Sequence, residues 1–289
     1  MTDTAKTVFI TGASGMIGAH TVKKLLAEGF NVIGADRCEG RVENENYTHV
    51  IVDLSVKEDV RKALSEHRVD RVIHLAAIAH AFSNGKITYE QYYKANVECA
   101  INVFSSASEK GIPVLFISTA DVYGFVKGQA SAQTPTALIS DYAKTKALAE
   151  KEITEICRES GYDIFRFAPV YTDEIKRDIQ KRYYLKYPNL AYIIGKGAGY
   201  EFLHIDLAAE KMADWVKEDV KNEIRNIKNK ELINTATCIE DEKKQGRAVR
   251  VLRFPRWMVC AGFYTALALT GKNKYTYLIN KVVNPLRTE

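Results

Sequence analysis

The stretch "TVFITGASGMIGAH", Thr7 to His20, decides the fold. Its first five residues are β-branched or aromatic and read as a strand. Gly12, Gly15 and Gly18 then fall in a G-x-x-G-x-x-G spacing, and "MIGAHTVKKLLAEG" reads as a helix that Gly29 stops. Glycines between a strand and a helix let backbone N–H groups approach a pyrophosphate at a helix N-terminus. A glycine triplet alone is a weak signal. Here a strand precedes it, a helix follows it, and the next strand, "NVIGAD", ends in the acid Asp36.

Outward from this stretch, further strands read at "THVIVDL" (48–54), "RVIHLAA" (71–77), "PVLFIST" (113–119) and "YDIFRFAPVY" (162–171), with helical segments between them. These are near-continuous apolar runs, the mark of strands covered on both faces. The alternation predicts an α/β fold, a Rossmann doubly wound parallel sheet with right-handed crossovers. The pattern breaks after Tyr171. "HIDLAAEKMADWVKEDVKNEIRNIK" (204–228) reads as helical again and "ELINTAT" (231–237) as one more strand. The expected organisation is a dinucleotide-binding core over 1–170, to which the chain returns at about 203–237, and a small C-terminal substrate lobe within 171–289.

Composition bounds the rest. The chain has 289 residues, 46% apolar and 27% charged, ordinary for a soluble globular protein. A net charge of +5 reads as mild and spread along the chain, which argues against a nucleic-acid binder. Cys38, Cys99, Cys157, Cys238 and Cys260 are scattered and without metal-ligand spacing. Free thiols in a reducing compartment follow, with no metal and a cytoplasmic location. The N-terminus has no apolar run of signal-peptide length. "WMVCAGFYTALALTG" (257–271) is too short to span a bilayer and is expected as a packed helix of the C-terminal lobe, with contact at a membrane surface as the alternative reading.

In an open parallel sheet ligands bind beyond the carboxyl ends of the strands, where Asp36, Asp53, Ala76 and Thr119 all fall. A carboxylate at Asp36 accepts hydrogen bonds from a ribose 2′- and 3′-hydroxyl and repels a 2′-phosphate, so NAD is favoured. Arg37 could hold that phosphate, which leaves NADP open. "SDYAKTKALAE" (140–150) places Tyr142 and Lys146 on one helix face. Taken alone, that pair reads as a solvated surface feature.

The context changes this reading. T-G-x-x-G-x-x-G at Thr11 to Gly18, Asp36, "D-L" at Asp53, "H-L-A-A" at His74, Asn96, the S/T-x-x-V-Y-G segment at Thr119 to Gly124 and Y-x-x-x-K at Tyr142 to Lys146 resemble the extended short-chain dehydrogenase/reductases of the nucleotide-sugar epimerase/dehydratase family. The resemblance covers the Rossmann part. It implies that Tyr142 is the general acid/base, that Lys146 binds the nicotinamide ribose and lowers the tyrosine pKa, and that Thr119 orients the substrate oxygen. It implies cofactor contacts at Ser14, Met16 and Ile17 in the glycine turn, and at Leu54 beside Asp53. Leu75 and Ala77 beside Ala76, then Asn96, Ser118 and Pro169, complete that set. Substrate contacts are expected from His80, Ser83, Thr119, Asp121, Tyr171 and Tyr200. An ammonium beside a phenol of pKa near 10 favours phenolate and suits it to base catalysis near neutrality.

Three departures from the family pattern narrow the chemistry. Ala120 and Asp121 stand where 4,6-dehydratases carry an Asp-Glu pair, and alanine cannot protonate a leaving hydroxyl. "RFAPVYT" puts Pro169 and Thr172 at the positions of an asparagine and a glycine. "YEFLHIDL" puts Tyr200 where the family's diphosphate arginine belongs, and Arg247, Arg250, Arg253 and Arg256 are candidates to replace it. The expected activity is epimerisation by transient oxidation of a secondary carbinol in a sugar, nucleotide-linked by resemblance. A ketosugar reductase ranks second and a non-catalytic dinucleotide-binding regulator third. No nucleic-acid partner and no membrane span are expected, and a homodimer is left open.

Overall fold

The computed structural model describes residues 5–40, 42–79, 87–126 and 128–289. The run Thr7–Thr11 forms β1, and the helix after the glycine turn is α1, Met16–Ala27. Next come β2 (Asn31–Asp36), β3 (Tyr47–Ile51), α2 (Lys57–Ser65) and β4 (Arg71–His74). A helical stretch follows as α3 (Tyr89–Tyr93), a π-helical turn (Lys94–Glu98) and α4 (Cys99–Ser108). Then come β5 (Val114–Thr119), α5 (Asp141–Ile156), β6 (Tyr162–Phe167), α6 (Ile205–Lys217) and β7 (Ile224–Ile227).

The seven strands form one sheet in the order β7-β6-β5-β4-β1-β2-β3. Every pairing in it is parallel. The chain runs outward from β1 to β3, then returns to β4 on the other side of β1. That reversal is the topological switch point, where such sheets bind ligands. Phe9, Val72, Val114, Phe116 and Ile164 are buried against α2, α4 and α5 on one face. Helices α1 and α6 pack together on the other. Apolar side chains alternate between two covered faces, which is why these strands lack a polar side.

Several boundaries differ from the sequence reading. The third strand stops at Ile51, because Asp53 turns its carboxylate onto the N–H of Ser55 and starts the turn into α2. The sixth stops at Phe167, two residues before Pro169, which has no N–H for a ladder. The helix expected over 204–228 ends at Lys217, and its tail is β7. Asn222, at φ 56°, turns the chain between the helix end and β7, and its side chain accepts the N–H of Tyr162. The fully buried Asp163 takes the N–H groups of Lys221 and Glu223 and the indole N–H of Trp215, locking helix and strand together. "ELINTAT" supplies only Ile233–Asn234, paired with Gly199–Tyr200.

Two compact units divide the chain. The first comprises Met1–Val122, Ser140–Phe167 and Ile205–Ile227, and the second comprises Tyr123–Ile139, Ala168–His204 and Lys228–Glu289. In the second, Leu190–Ile194 pairs antiparallel with Tyr184–Lys186 and parallel with Arg250–Phe254. Tyr183, Ile193, Tyr200, Phe202 and Ile239 form its small core. The helix Arg256–Thr270 is not the packed element expected, since only Phe263 within it is buried.

Candidate active site

The glycine turn is shaped first by the chain's own packing. Gly12 adopts φ 73°, and a Cβ there would lie 2.9 Å from the Ala76 nitrogen beyond β4. A Cβ on Gly18 would lie 2.1 Å from the Gly12 carbonyl oxygen. Gly15 is different. A Cβ there would meet only the Gly12 oxygen, at 3.2 Å, and would otherwise project into open space. Helix α1 starts at this point without a side-chain cap and without an acid in its first turn. Its first N–H groups and the positive end of its dipole are left for an anion, and a side chain at Gly15 would stand in the way. These residues fit a dinucleotide pyrophosphate. Met16 is exposed and Ile17 half-buried beside them.

Asp36 is fixed in place. Its carboxylate accepts the N–H groups of Ser14 (3.0 Å), Arg37 (2.7 Å) and Cys38 (3.3 Å). The Ser14 hydroxyl donates to the carbonyls of Cys38 and Glu39, and the His49 ring donates from Nε2 to the Cys38 carbonyl. His49 Nδ1 must then accept from the Tyr47 hydroxyl, at 2.8 Å. Tyr47 and His49 thus hold the loop after β2, a role that nothing in their sequence spacing announced. Arg37 is exposed. The Asp53 carboxyl is held below its ordinary pKa first by Ser55, then by the charges of Arg37 and Lys94. Leu54 is buried, and its carbonyl accepts from Asn102.

The end of β4 is tied to the same turn. Thr11 Oγ1 accepts the N–H of Ala76 and bonds His74 Nδ1 at 2.8 Å. Burial holds His74 neutral, its pKa pushed down to about 3, with the Lys146 charge adding to the effect. Leu75 and Ala76 are half-buried beyond it and Ala77 is exposed. Asn96 lies buried on the π-helical turn, a form of helix frequent at functional sites. It accepts the N–H of Ile78 and donates to the Ile78 carbonyl and to Thr145 Oγ1. Its polar atoms therefore fasten the loop after β4 to α5.

Helix α5 opens with Ser140, which caps the N–H of Ala143. Tyr142, Lys146 and Glu150 then recur every four residues along one stripe. Lys146 is buried with its Nζ 4.1 Å from the centre of the Phe116 ring. Burial pulls its pKa down to about 7, and the Glu150 carboxylate partly opposes this. Glu150 accepts a two-pronged pair from Arg166, at 3.0 and 2.7 Å, and the Ser118 hydroxyl. The Ser118 side chain is thus committed to the interior. Glu150 and Arg166 escaped the sequence reading. The stripe made Glu150 findable, whereas Arg166 comes from another strand.

Thr119 ends β5, and its Oγ1 accepts the Asp121 N–H at 3.2 Å. Tyr142 is half-buried, and its ring centre lies 6.4 Å from that of Tyr92. Burial raises its pKa above that of free tyrosine, and the Asp121 carboxylate and Tyr92 raise it further. The expectation that Lys146 lowers the tyrosine pKa is not met in the chain by itself. The charge that adds to burial there is the Asp121 carboxylate, which disfavours phenolate.

In the second unit, the Pro169 carbonyl accepts the N–H of Leu203. The Tyr171 hydroxyl accepts from Asn229 at 3.0 Å, and its ring meets His204 edge-on. Tyr200 is buried, with the Arg182 guanidinium 5.2 Å above its ring. Burial pushes the Tyr200 hydroxyl up to about 12, while the charges of Arg182, Arg287 and Arg256 pull the other way. Arg182 Nε is buried without a hydrogen-bond partner among the described residues. Of the arginines considered from sequence, Arg247 is paired with Glu242. Arg182 falls in the basic run 176–186, which from sequence reads equally as a phosphate contact or a solvated face, and Arg287 was not considered. His80 and Ser83 lie outside the described residues.

The model of the NAD dependent epimerase/dehydratase family matches residues 8–206. A UDP-glucose 4-epimerase of Drosophila melanogaster is 28% identical over 170 residues, 53% of this chain and 49% of that protein. UDP-glucose 4-epimerase 4 of Oryza sativa subsp. japonica is 33% identical over 171 residues, 54% of this chain and 45% of that protein. The matched stretch thus spans about half the length of these relatives. Among solved structures, the fold is shared with the Thermus thermophilus UDP-glucose 4-epimerase in complex with NAD. The TM-score is 0.68 at 24% identity, covering 86% of each chain. It is also shared with UDP-glucuronic acid 4-epimerase from Bacillus cereus in complex with NAD, with a TM-score of 0.68 at 21% identity, covering 86% of this chain and 87% of that one.

Proposed function

The chain belongs to the NAD dependent epimerase/dehydratase family, and from that premise we propose that it is an NAD-dependent epimerase of a UDP-linked hexose. The observation that carries this reading is the α5 stripe. It sets Tyr142, Lys146 and Glu150 on one face of the helix that Asn96 fastens to the loop after β4. The relatives named UDP-glucose 4-epimerase support the substrate class and the position of reaction.

The glycine turn, Asp36 and the small residues after β4 would hold the dinucleotide. When bound, NAD supplies the electron acceptor for the carbinol carbon and, oxidised, a positive charge that favours phenolate. Tyr142 takes the proton from the carbinol oxygen and returns it to the carbonyl oxygen on reversal. Thr119 orients that oxygen by hydrogen bonding. Lys146, with a pKa of about 7, is present in both charge states at neutral pH and serves as donor to the ribose hydroxyls when charged. Glu150, anchored by Arg166 and Ser118, keeps part of that charge in place. In the second unit, Arg182 and Arg287 are the cations we assign to the diphosphate, in the role that Tyr200 cannot fill. Ala120 is buried and carries no acid, which supports epimerisation over water elimination.

The test is incubation of the purified protein with NAD and UDP-glucose, UDP-galactose or UDP-glucuronate, with the products followed by NMR. Interconversion of epimers without net reduction of NAD is the expected outcome. Tyr142→Phe should lower turnover by roughly 10²–10⁴. Arg182→Ala should raise KM with little change in kcat, as loss of a binding contact does. Stoichiometric consumption of NADH on a 4-keto sugar, without epimer formation, would make the protein a reductase.

A further inference from the structure

The helix Arg256–Thr270 presents an apolar surface that water does not favour. From Trp257 to Gly271 it carries no charged side chain. Trp257 is nonetheless 72% exposed and Leu269 81%. The helix Lys274–Val283 adds exposed Tyr275, Leu278 and Ile279, and the strand Arg250–Phe254 adds Leu252 and Phe254. Contiguous exposed apolar surface of this kind marks a contact face.

Charge identifies the partner. Between Lys243 and Thr288 stand ten lysines and arginines and no aspartate or glutamate. The whole chain carries only +5, so everything outside this segment is net negative. Six of the ten, Arg250, Arg253, Arg256, Lys272, Lys274 and Lys281, fall in the elements that carry the apolar side chains or in the links between them. Arg250 and Arg253 form no ion pair among the described residues. A second copy would bring the same cations to a two-fold contact, where like charges would face each other. An anionic surface would meet the cations of these elements without that conflict.

Length fixes the mode of contact. Fifteen helical residues reach about 22 Å, short of the roughly 30 Å of a hydrocarbon core. No helix among the described residues is long and apolar enough to cross a membrane. Trp257, Tyr264 and Tyr275 are the side chains that settle at headgroup level. We propose that this helix pair docks the protein on the surface of an anionic lipid bilayer, its apolar side chains in the headgroup–acyl boundary and its cations at the phosphates.

The chain contains its own reporter. It has two tryptophans, and the other, Trp215, is fully buried. The full chain is mixed with vesicles of phosphatidylcholine alone, or of phosphatidylcholine with phosphatidylglycerol, at low and high salt. Co-sedimentation and a blue shift of Trp257 emission are expected with the anionic vesicles only, weakening as salt screens the contact. The Arg253→Glu/Lys272→Glu pair should weaken binding roughly tenfold or more. Leu269→Ser with Leu278→Ser should weaken it as well, with an unchanged circular dichroism spectrum. Equal binding to both vesicle types, or to neither, would overturn the proposal. So would a blue-shifted, concentration-dependent emission without lipid together with a dimer mass in sedimentation, because a second copy would then cover the face. None of these readouts depends on the enzymatic reading.

Discussion

Lys146 is an amine enclosed by protein, resting on a phenylalanine ring, with a carboxylate one turn away on its own helix. Its pKa of about 7 against an ordinary 10.5 is a statement about stability as well as chemistry. Between those two values the unfolded chain binds more protons, so this group makes the fold more stable as pH rises from about 7 toward 10.5. Below about 7 both states are charged and the burial penalty is fully present. Lys146→Met removes that penalty. The variant without cofactor should melt higher than wild type at pH 6, by about 2–4 °C for each kcal/mol recovered, and the gain should vanish near pH 10.5. Thermal scans of both proteins at pH 6 and pH 10 check this. The same variant should lose cofactor binding and turnover, so the site gives up stability to hold a titrating amine where it does. The placing of Tyr142 and Lys146 on one helix face was legible from their spacing, though one turn alone gave them no role. Arg166, which anchors Glu150, was not, because its approach depends on a strand that sequence spacing alone does not place.

Elements whose reasons are local were read well. The glycine turn, α1 and α5 carry their signals within a few residues, as does the alternation that makes a parallel sheet. Elements settled by distant contacts were read poorly. "IRNI" spaces its isoleucines as a helix face would, and it became β7 because Asn222 turned the chain and Asp163 received it. "WMVCAGFYTALALTG" is apolar whether buried or not, and periodicity does not distinguish the two. Asp163 is the test of the first case. Replacing it with alanine leaves the buried indole N–H of Trp215 and the part-buried backbone N–H of Glu223 without this acceptor. At roughly 1–3 kcal/mol for each, Asp163→Ala should cost about 3 kcal/mol or more. A lower urea midpoint followed by Trp215 emission is the expected reading. A loss below about 1 kcal/mol would mean that water or a neighbour replaces the carboxylate.

At the scale of the whole molecule, the sheet order matters more than any motif. Asp36 ends β2, Ala76 follows β4 and Thr119 ends β5, and the order β5-β4-β1-β2 gathers these strand ends around the start of α1. Asp36 and Thr119, 83 positions apart, thus come to the same end of one sheet. The choice between NAD and NADP is the prediction made at this scale. Asp36 is held by three N–H groups and cannot swing aside, so a 2′-phosphate would meet a fixed carboxylate. Arg37 is exposed, and its charge acts on Asp53. A ligand that binds only the folded chain raises its stability by about 2.7 kcal/mol at a hundred times its Kd. NADH should therefore raise the melting temperature at concentrations where NADPH does not. Asp36→Asn keeps the shape and the acceptor oxygen while removing the charge. It should narrow the gap between the two cofactors chiefly by admitting NADPH. Melting curves at matched NADH and NADPH concentrations, for both proteins, decide the matter. Greater stabilisation of the wild type by NADPH would transfer the selecting role to Arg37 and make the chain an NADP-binding member of its family.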